Sequence, residues 1–464
     1  MTRFKPDSSF YPSPRLAMKA PPETLAYVAA ISPKDNGHAD AMTVVDVDPD
    51  SKRYGQLVGT VELPNSGDEL HHFGWNACSS SLCPYAPHPH MERRYLVVPG
   101  LRSSRIHILD IKRDRRSPEI VKVIEPEEVF TRSGYSRLHT VHCGPEGIYV
   151  GALGSPDGGG PGGVLLLDHN RFEVLGKWEM DRGPQELSYD FSWHLGHDTM
   201  ITSEWGTPNM IEDGLNPELL LSGQYGHRIH FWDLRKRKHQ QVVDLGDEQQ
   251  LVLELRPAHD PTKAYGFAGV TISLKDLSAS VWLWNRENGA WSTRKVIEIP
   301  AEPAHEDDLP PMLKGFQAVP PLVTDINLSM DDRFLYVSCW GTGELRQYDV
   351  TDPFEPKLKG SVRIGGIVNR TPHPKHPGRS LNGGPQMVEV SRDGRRIYVT
   401  NSLYRTWDDQ FYPDGITSWM AKMVSDGNGS FQLDERFLVE FDGYRAHQVR
   451  LENGDSSSDS FCYS

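Results

Sequence analysis

No stretch of the 464-residue chain approaches the about 20 consecutive apolar residues that a membrane-spanning helix requires. The opening segment, MTRFKPDSSFYPSPRLAMKA, also lacks the apolar core of a secretory signal. Both absences predict a soluble, cytoplasmic protein with no integral membrane segment. Cysteine is scarce: Cys78, Cys83, Cys143, Cys339 and Cys462 make an odd total of five, all expected to be thiols in a reducing compartment. Cys78 and Cys83 have no second such pair with which to form a zinc knuckle. Basic charge is short as well. Against 63 Asp and Glu stand 49 Lys and Arg, a net charge of −14 that opposes binding to nucleic acid or anionic membrane. The one basic run, RKRKH from Arg235 to His239, has no aromatic platform and reads as a solvated turn. GSPDGGGPGG from Gly154 lacks the terminal Lys-Ser/Thr of a phosphate loop and reads as a hairpin connection. A G-x-S-x-G nucleophile elbow is missing too.

Turn formers are abundant. The 42 Gly and 35 Pro, with 9% aromatics, favour many short strands joined by tight turns. One motif recurs seven times: HHFGWNA from His71, HTVHCGPEG from His139, YDFSWHLGHD from Tyr189, LELRPAHD from Leu253, TDINLSMDD from Thr324, PQMVEVSRDG from Pro385 and AHQVRLENG from Ala446. Its polar column is His72, His139, Asp190, Glu254, Asp325, Gln386 and His447, at successive spacings of 67, 51, 64, 71, 61 and 61 residues. Such a period suits the blades of an all-β propeller, whose first strands line a central channel. After each motif come β-branched and aromatic runs such as FLYVSCW, ELRQYDV and KLKGSVRI, which read as the second, third and fourth strands.

The two ends complete one another. TLAYVAAI, AMTVVDVD and GQLVGTVELP read as strands two to four of a blade without a first, and AHQVRLENG is a first strand with nothing after it. Their pairing closes a seven-bladed propeller and removes the open sheet edges. Eight blades is the alternative, because the insertions 210–223 and 301–321 could hide irregular strands. Residues 1–23 then form an N-terminal extension, and 24–464 a single propeller domain.

Closure makes the strands of His447, of His71 and His72, and of His139 neighbours at one mouth of the channel, with His142 and Arg450 three residues further on. Converging imidazoles without a thiolate cage favour copper or zinc over calcium. Neighbouring His71 and His72 point to opposite faces of a strand unless a bulge turns both inward. Asp190, Glu254 and Asp325 could orient ligands or accept a proton. Cys143 is either an inert buried hydrophobe or a thiolate beside a metal. Trp75, Trp193, Trp205, Trp340 and Trp407 read as packing between blades.

At DELHHFGWNACSS, LHTVHC, YDFSW, TSEWGTPN, TDINLSMDDRFLYVSCW, LRQYDVTDP, GGPQMVEVSRDGRRIYVTNSLY, WDDQFYPD and AHQVR, the chain closely resembles the selenium-binding protein family. Members of that family include methanethiol oxidases. The resemblance implies a β-propeller and oxidation of methanethiol by dioxygen and water to formaldehyde, hydrogen sulfide and hydrogen peroxide. It also implies copper, with histidines matching His71, His72, His139, His142 and His447. On this basis copper binds the small thiol, Asp190 or Asp325 accepts a proton, and Cys143 belongs to the catalytic group. The alternative is a non-catalytic propeller that binds a metal, a selenium species or a protein partner. One departure is Gly55, which stands where animal members carry a selenium-associated cysteine, so selenium attachment at that position is excluded.

Overall fold

The computed structural model describes residues 5–33, 38–86 and 88–464. Within them, seven four-stranded antiparallel sheets form the blades of a propeller. Blade 1 is built from both ends of the chain: Leu25–Ile31, Ala39–Asp46 and Gln56–Ser66 continue a sheet whose innermost strand is Arg445–Leu451. The register runs from Ala26 opposite Leu451 to Ile31 opposite Arg445, which is the closure expected from the incomplete blades at the two ends. Blades 2 to 7 follow in order, with inner strands Gly74–Trp75, Ser136–Cys143, Phe191–His194, Gln249–Pro257, Val323–Leu328 and Val388–Val390.

Sequence pattern explains the layers within a blade. The second strand of blade 6, FLYVSC, is covered on both faces by neighbouring blades and buried along its whole length. Its outer strand KLKGSVR meets solvent and is polar or half-exposed. The core lies between blades. Val97, Ile106 and Ile108 of blade 2 pack on Val141, Ile148 and Val150 of blade 3, and Phe267 and Leu283 of blade 5 pack on Ile326 and Val337 of blade 6. Each such side chain stabilises the fold by about 1.5–3 kcal/mol relative to exposure.

Neither insertion makes an eighth blade. The first folds as two short helices, Pro208–Ile211 and Pro217–Leu221, each opened by a proline at its first position. The second forms a two-stranded ribbon, Glu302–Pro303 with Ala318–Val319.

Gly55 occupies the turn into the outer strand of blade 1 at φ +70°, a left-handed conformation that disfavours a side chain.

Beyond Leu451 the chain turns back across the mouth of the channel opposite the histidines. Ser456 donates its amide to Val390 O (3.0 Å) and its hydroxyl to Asn327 Oδ1 (3.0 Å). Asp459 then pairs with Arg93 (2.7 Å) and Arg392 (2.5 Å), whose Nη2 also donates to Ser9 O. Cys462 is joined to Cys83 by a disulfide, which corrects the expectation of five thiols: the folded-back tail brings together two cysteines 379 residues apart. Cys78, Cys143 and Cys339 are free and buried.

Candidate functional site

Four of the seven column residues, His139, Glu254, Asp325 and His447, sit at or beside irregularities in the inner strands. In blade 3 Leu138 pairs with Ala152 and Val141 with Val150, so His139 and Thr140 together face the single residue Gly151. Leu253 and Glu254 face Gly269 in the same way, and similar shifts occur at His447–Gln448 and next to Asp325. A bulge of this kind bends the strand and re-aims a side chain. The segment of His71 and His72 precedes the short strand Gly74–Trp75 rather than lying within a strand. It is pinned on either side: Leu70 N donates to Asp40 Oδ2 (2.8 Å) and Phe73 N donates to Gln448 Oε1 (2.6 Å). Freed from strict alternation, both histidines turn into the channel.

Four imidazoles from three consecutive blades meet there. His71 Nδ1 lies 2.6 Å from His447 Nε2, and the ring centres of His72 and His139 are 4.0 Å apart. His71 and His139 are 4.8 Å apart, and donor atoms of His71, His72 and His447 all lie within 4.8 Å of one another. His447 donates its Nδ1 proton to Ser402 O (2.6 Å), leaving its lone pair on Nε2. His139 donates from Nδ1 to Thr140 Oγ1 (2.9 Å), which donates in turn to Asp190 Oδ1 (2.9 Å). This relay orients the imidazole and leaves Nε2 unprotonated, free to act as a ligand.

Burial, and then the neighbouring imidazoles, hold His71 and His72 well below the ordinary histidine range, and burial does the same for His139. Burial depresses His447 to about 3. All four are therefore neutral at pH 7, with lone pairs to offer. The Nε2 atoms of His71, His72 and His139 are buried without a hydrogen-bond partner. Such an atom costs about 1–3 kcal/mol unless something satisfies it. A cation preferring imidazole nitrogen meets this need, so the donor set fits copper or zinc.

A layer of carboxylates lies against the histidines around Arg256. Its guanidinium pairs with Glu254 (2.9 Å), Asp325 (3.1 Å) and Asp190 (3.5 Å). Asp190 also accepts from Leu255 N (2.9 Å) and Asp325 from Val388 N (2.7 Å), each tying its blade to the next. Asp190 and Asp325 thus have their oxygens engaged. Glu254 is different: its Oε1 has no hydrogen-bond partner and lies 3.7 Å from His72 Nε2. Burial raises all three carboxyls, Asp325 to about 7 and Glu254 well above its usual range.

Two of the residues expected at the centre lie elsewhere. His142, three residues beyond His139 and so about 10 Å further along the strand, packs against Phe191 (5.4 Å) and Trp193 (5.8 Å). Cys143 turns away from the channel histidines into a cluster with Cys78, Phe10 and Met91. Arg256, Glu389 and Thr140 are participants that the motif reading passed over. Glu389 pairs with Arg450 at 2.5 Å. A signal for Arg256 existed, two residues after Glu254 and on the same face. The histidine mouth is roofed by apolar residues. Tyr189 packs on His139 (4.3 Å) and Trp205 (5.3 Å), and it borders a cavity of about 80 Å³ walled by Leu215, Leu220, Leu313 and Trp340. Leu215 and Leu220 come from the first insertion and Leu313 from the second.

Comparison with known proteins agrees with this architecture. The family model described as 56kDa selenium binding protein matches residues 4–462. A protein of Xenopus tropicalis named methanethiol oxidase is 39% identical, over 97% of both chains. A Homo sapiens protein of the same name is also 39% identical, again over 97% of both. The X-ray structure of a hypothetical selenium-binding protein from Sulfolobus tokodaii superposes with a TM-score of 0.96 at 59% identity, covering 99% of this chain and 100% of that one. The chain described here belongs to the 56 kDa selenium-binding protein family.

Proposed function

We propose that this chain is a copper-dependent thiol oxidase converting methanethiol, dioxygen and water to formaldehyde, hydrogen sulfide and hydrogen peroxide. The observation that carries this reading is the group of four buried, neutral imidazoles, three of them with an unpartnered Nε2, at an apolar-roofed mouth. Relatives named methanethiol oxidase, 38–39% identical over almost the whole chain, support the reaction.

His71, His72, His139 and His447 hold the metal. Copper supplies a soft Lewis acid for the thiol sulfur and a route for electrons to dioxygen. The protein positions the rest. Thr140 and Asp190 orient His139, and Ser402 orients His447. Glu254, with its free oxygen toward His72, holds or passes a proton beside the thiol, while Arg256 offsets part of the negative charge of the three carboxyls around it. Asp325 keeps Arg256 in place. The roof of Tyr189, Trp205 and Leu403 favours a small apolar substituent on sulfur and keeps bulk water away.

Turnover of methanethiol by the copper-loaded full-length chain tests this, with hydrogen sulfide and peroxide both quantified. Equal yields of the two are expected. Copper bound stoichiometrically without any sulfide release would instead favour a non-catalytic propeller that binds a metal, a selenium species or a protein partner.

A further inference from the structure

A second group of nitrogen and sulfur donors lies apart from the channel histidines, at the far end of the strand that carries His139. Ligand atoms of His88, Cys143 and His169 all lie within 4.8 Å of one another, and all three residues are buried. They come from separate segments. His88 follows the 3₁₀ turn Ser79–Leu82, Cys143 ends the strand Ser136–Cys143, and His169 occupies the turn after Gly163–Leu167.

Their polar atoms are arranged for a ligand that the protein itself does not provide. Both nitrogens of His88 lack a hydrogen-bond partner although only 3% of the residue is exposed, and Nε2 of His169, 5% exposed, lacks one too. The two rings lie face to face, 3.7 Å apart and tilted by 32°. Close approach of two imidazoles with three unsatisfied nitrogens is unfavourable in a buried, largely apolar setting. The Gly144 carbonyl beside the other nitrogen of His169 favours the tautomer that carries the lone pair on Nε2. Cys143 Sγ lies 3.7 Å from Ser80 Oγ, which can donate to a thiolate there, whereas burial and the neighbouring Cys78 keep the free thiol protonated, so a bound cation would displace that proton.

We propose that His88, His169 and Cys143 form a second metal centre for a thiophilic cation, zinc or cuprous copper. Two imidazoles and one thiolate match the donor preference of these ions and exclude calcium or magnesium, which take oxygen ligands. Access is available because Cys143 borders the cavity beneath the folded-back tail. The centre is independent of the oxidase reading, since it shares no ligand with the channel histidines. The two meet only through the strand Ser136–Cys143, on which His139 and Cys143 lie four residues, about 13 Å, apart.

Titration of the metal-free full-length chain with cobalt(II), a spectroscopic stand-in for zinc, tests the proposal. A sulfur-to-cobalt charge-transfer band should saturate by two equivalents, with the intensity of one cobalt–thiolate per chain because the channel histidines take the other ion, and be displaced by zinc. It should be absent from Cys143→Ser, need at least tenfold more cobalt in His88→Ala and His169→Ala, and persist in His447→Ala, which alters only the channel. A parallel competition with a cuprous chelator should give one fewer tightly held copper ion in Cys143→Ser than in the unaltered chain if the site takes cuprous copper, and equal numbers if it takes zinc alone. Should Cys143→Ser fail to give a native circular dichroism spectrum, His169→Ala decides, because its change lies in a turn. The proposal is overturned if the folded chain gives no sulfur-to-cobalt band, if the band survives in Cys143→Ser, or if His169→Ala binds cobalt unchanged.

Discussion

Thr140 does for His139 what a carboxylate does for many metal-bound histidines, relaying a hydrogen bond from Nδ1 to Asp190. Replacing it with valine keeps the shape and removes the relay, so copper affinity should fall about 10–100-fold with little change in melting temperature. Competition with a chelator of known affinity measures this, and an unchanged affinity would show that the relay is idle. Asp459 offers a second test at the level of one side chain. Burial alone would raise its carboxyl, but Arg392 and Arg93 outweigh burial and hold it at about 2. Its folded value thus lies below the unfolded one of about 3.9. Its contribution is present above pH 4 and is lost as pH falls toward 2. Asp459→Asn leaves two buried guanidinium groups short of a partner and should cost about 3–5 kcal/mol at pH 7. Melting curves of both proteins across pH 2–7 should show the gap closing below pH 4. A gap that stays constant down to pH 2 would contradict this.

At the scale of strands, the blades and the column were legible because one motif with a polar residue near its start recurs seven times, each copy but the last followed by β-branched and aromatic runs. The bulges at His139–Thr140 and His447–Gln448 were not, since a bulge depends on register against the opposing strand. Without that register, His142 looked like a fifth channel ligand, although it lies a layer deeper. The same ignorance hid Arg256, which reads as one more polar residue in LELRPAHD until three blades bring their carboxylates to it. The tail disulfide was equally hidden, because only closure of the ring brings Cys462 to Cys83. Closure itself was legible from the missing first strand at one end and the orphan strand at the other. Deleting residues 445–464 removes that strand and the tail, opens both edges of the ring and should cost several kcal/mol, enough to unfold a marginal domain. A truncated chain that melts like the whole one would refute the role given to this pairing.

Taken as a whole, the molecule puts rigidity and chemistry in different places. Stability resides in the apolar layers between blades, which do not depend on the channel histidines. The channel concentrates polar groups at its axis, with imidazoles under an apolar roof at one mouth, then carboxylates about Arg256, then Arg450 with Glu389, and the tail across the far end. The central claim is that His71, His72, His139 and His447, from three neighbouring blades, hold the metal that turnover requires. Copper content and methanethiol turnover of His139→Ala, measured beside His142→Ala, test it most directly. The account predicts that His139→Ala folds normally but loses the channel copper and turnover together, whereas His142→Ala keeps that copper. Full turnover by His139→Ala, or loss of copper from His142→Ala alone, would contradict it.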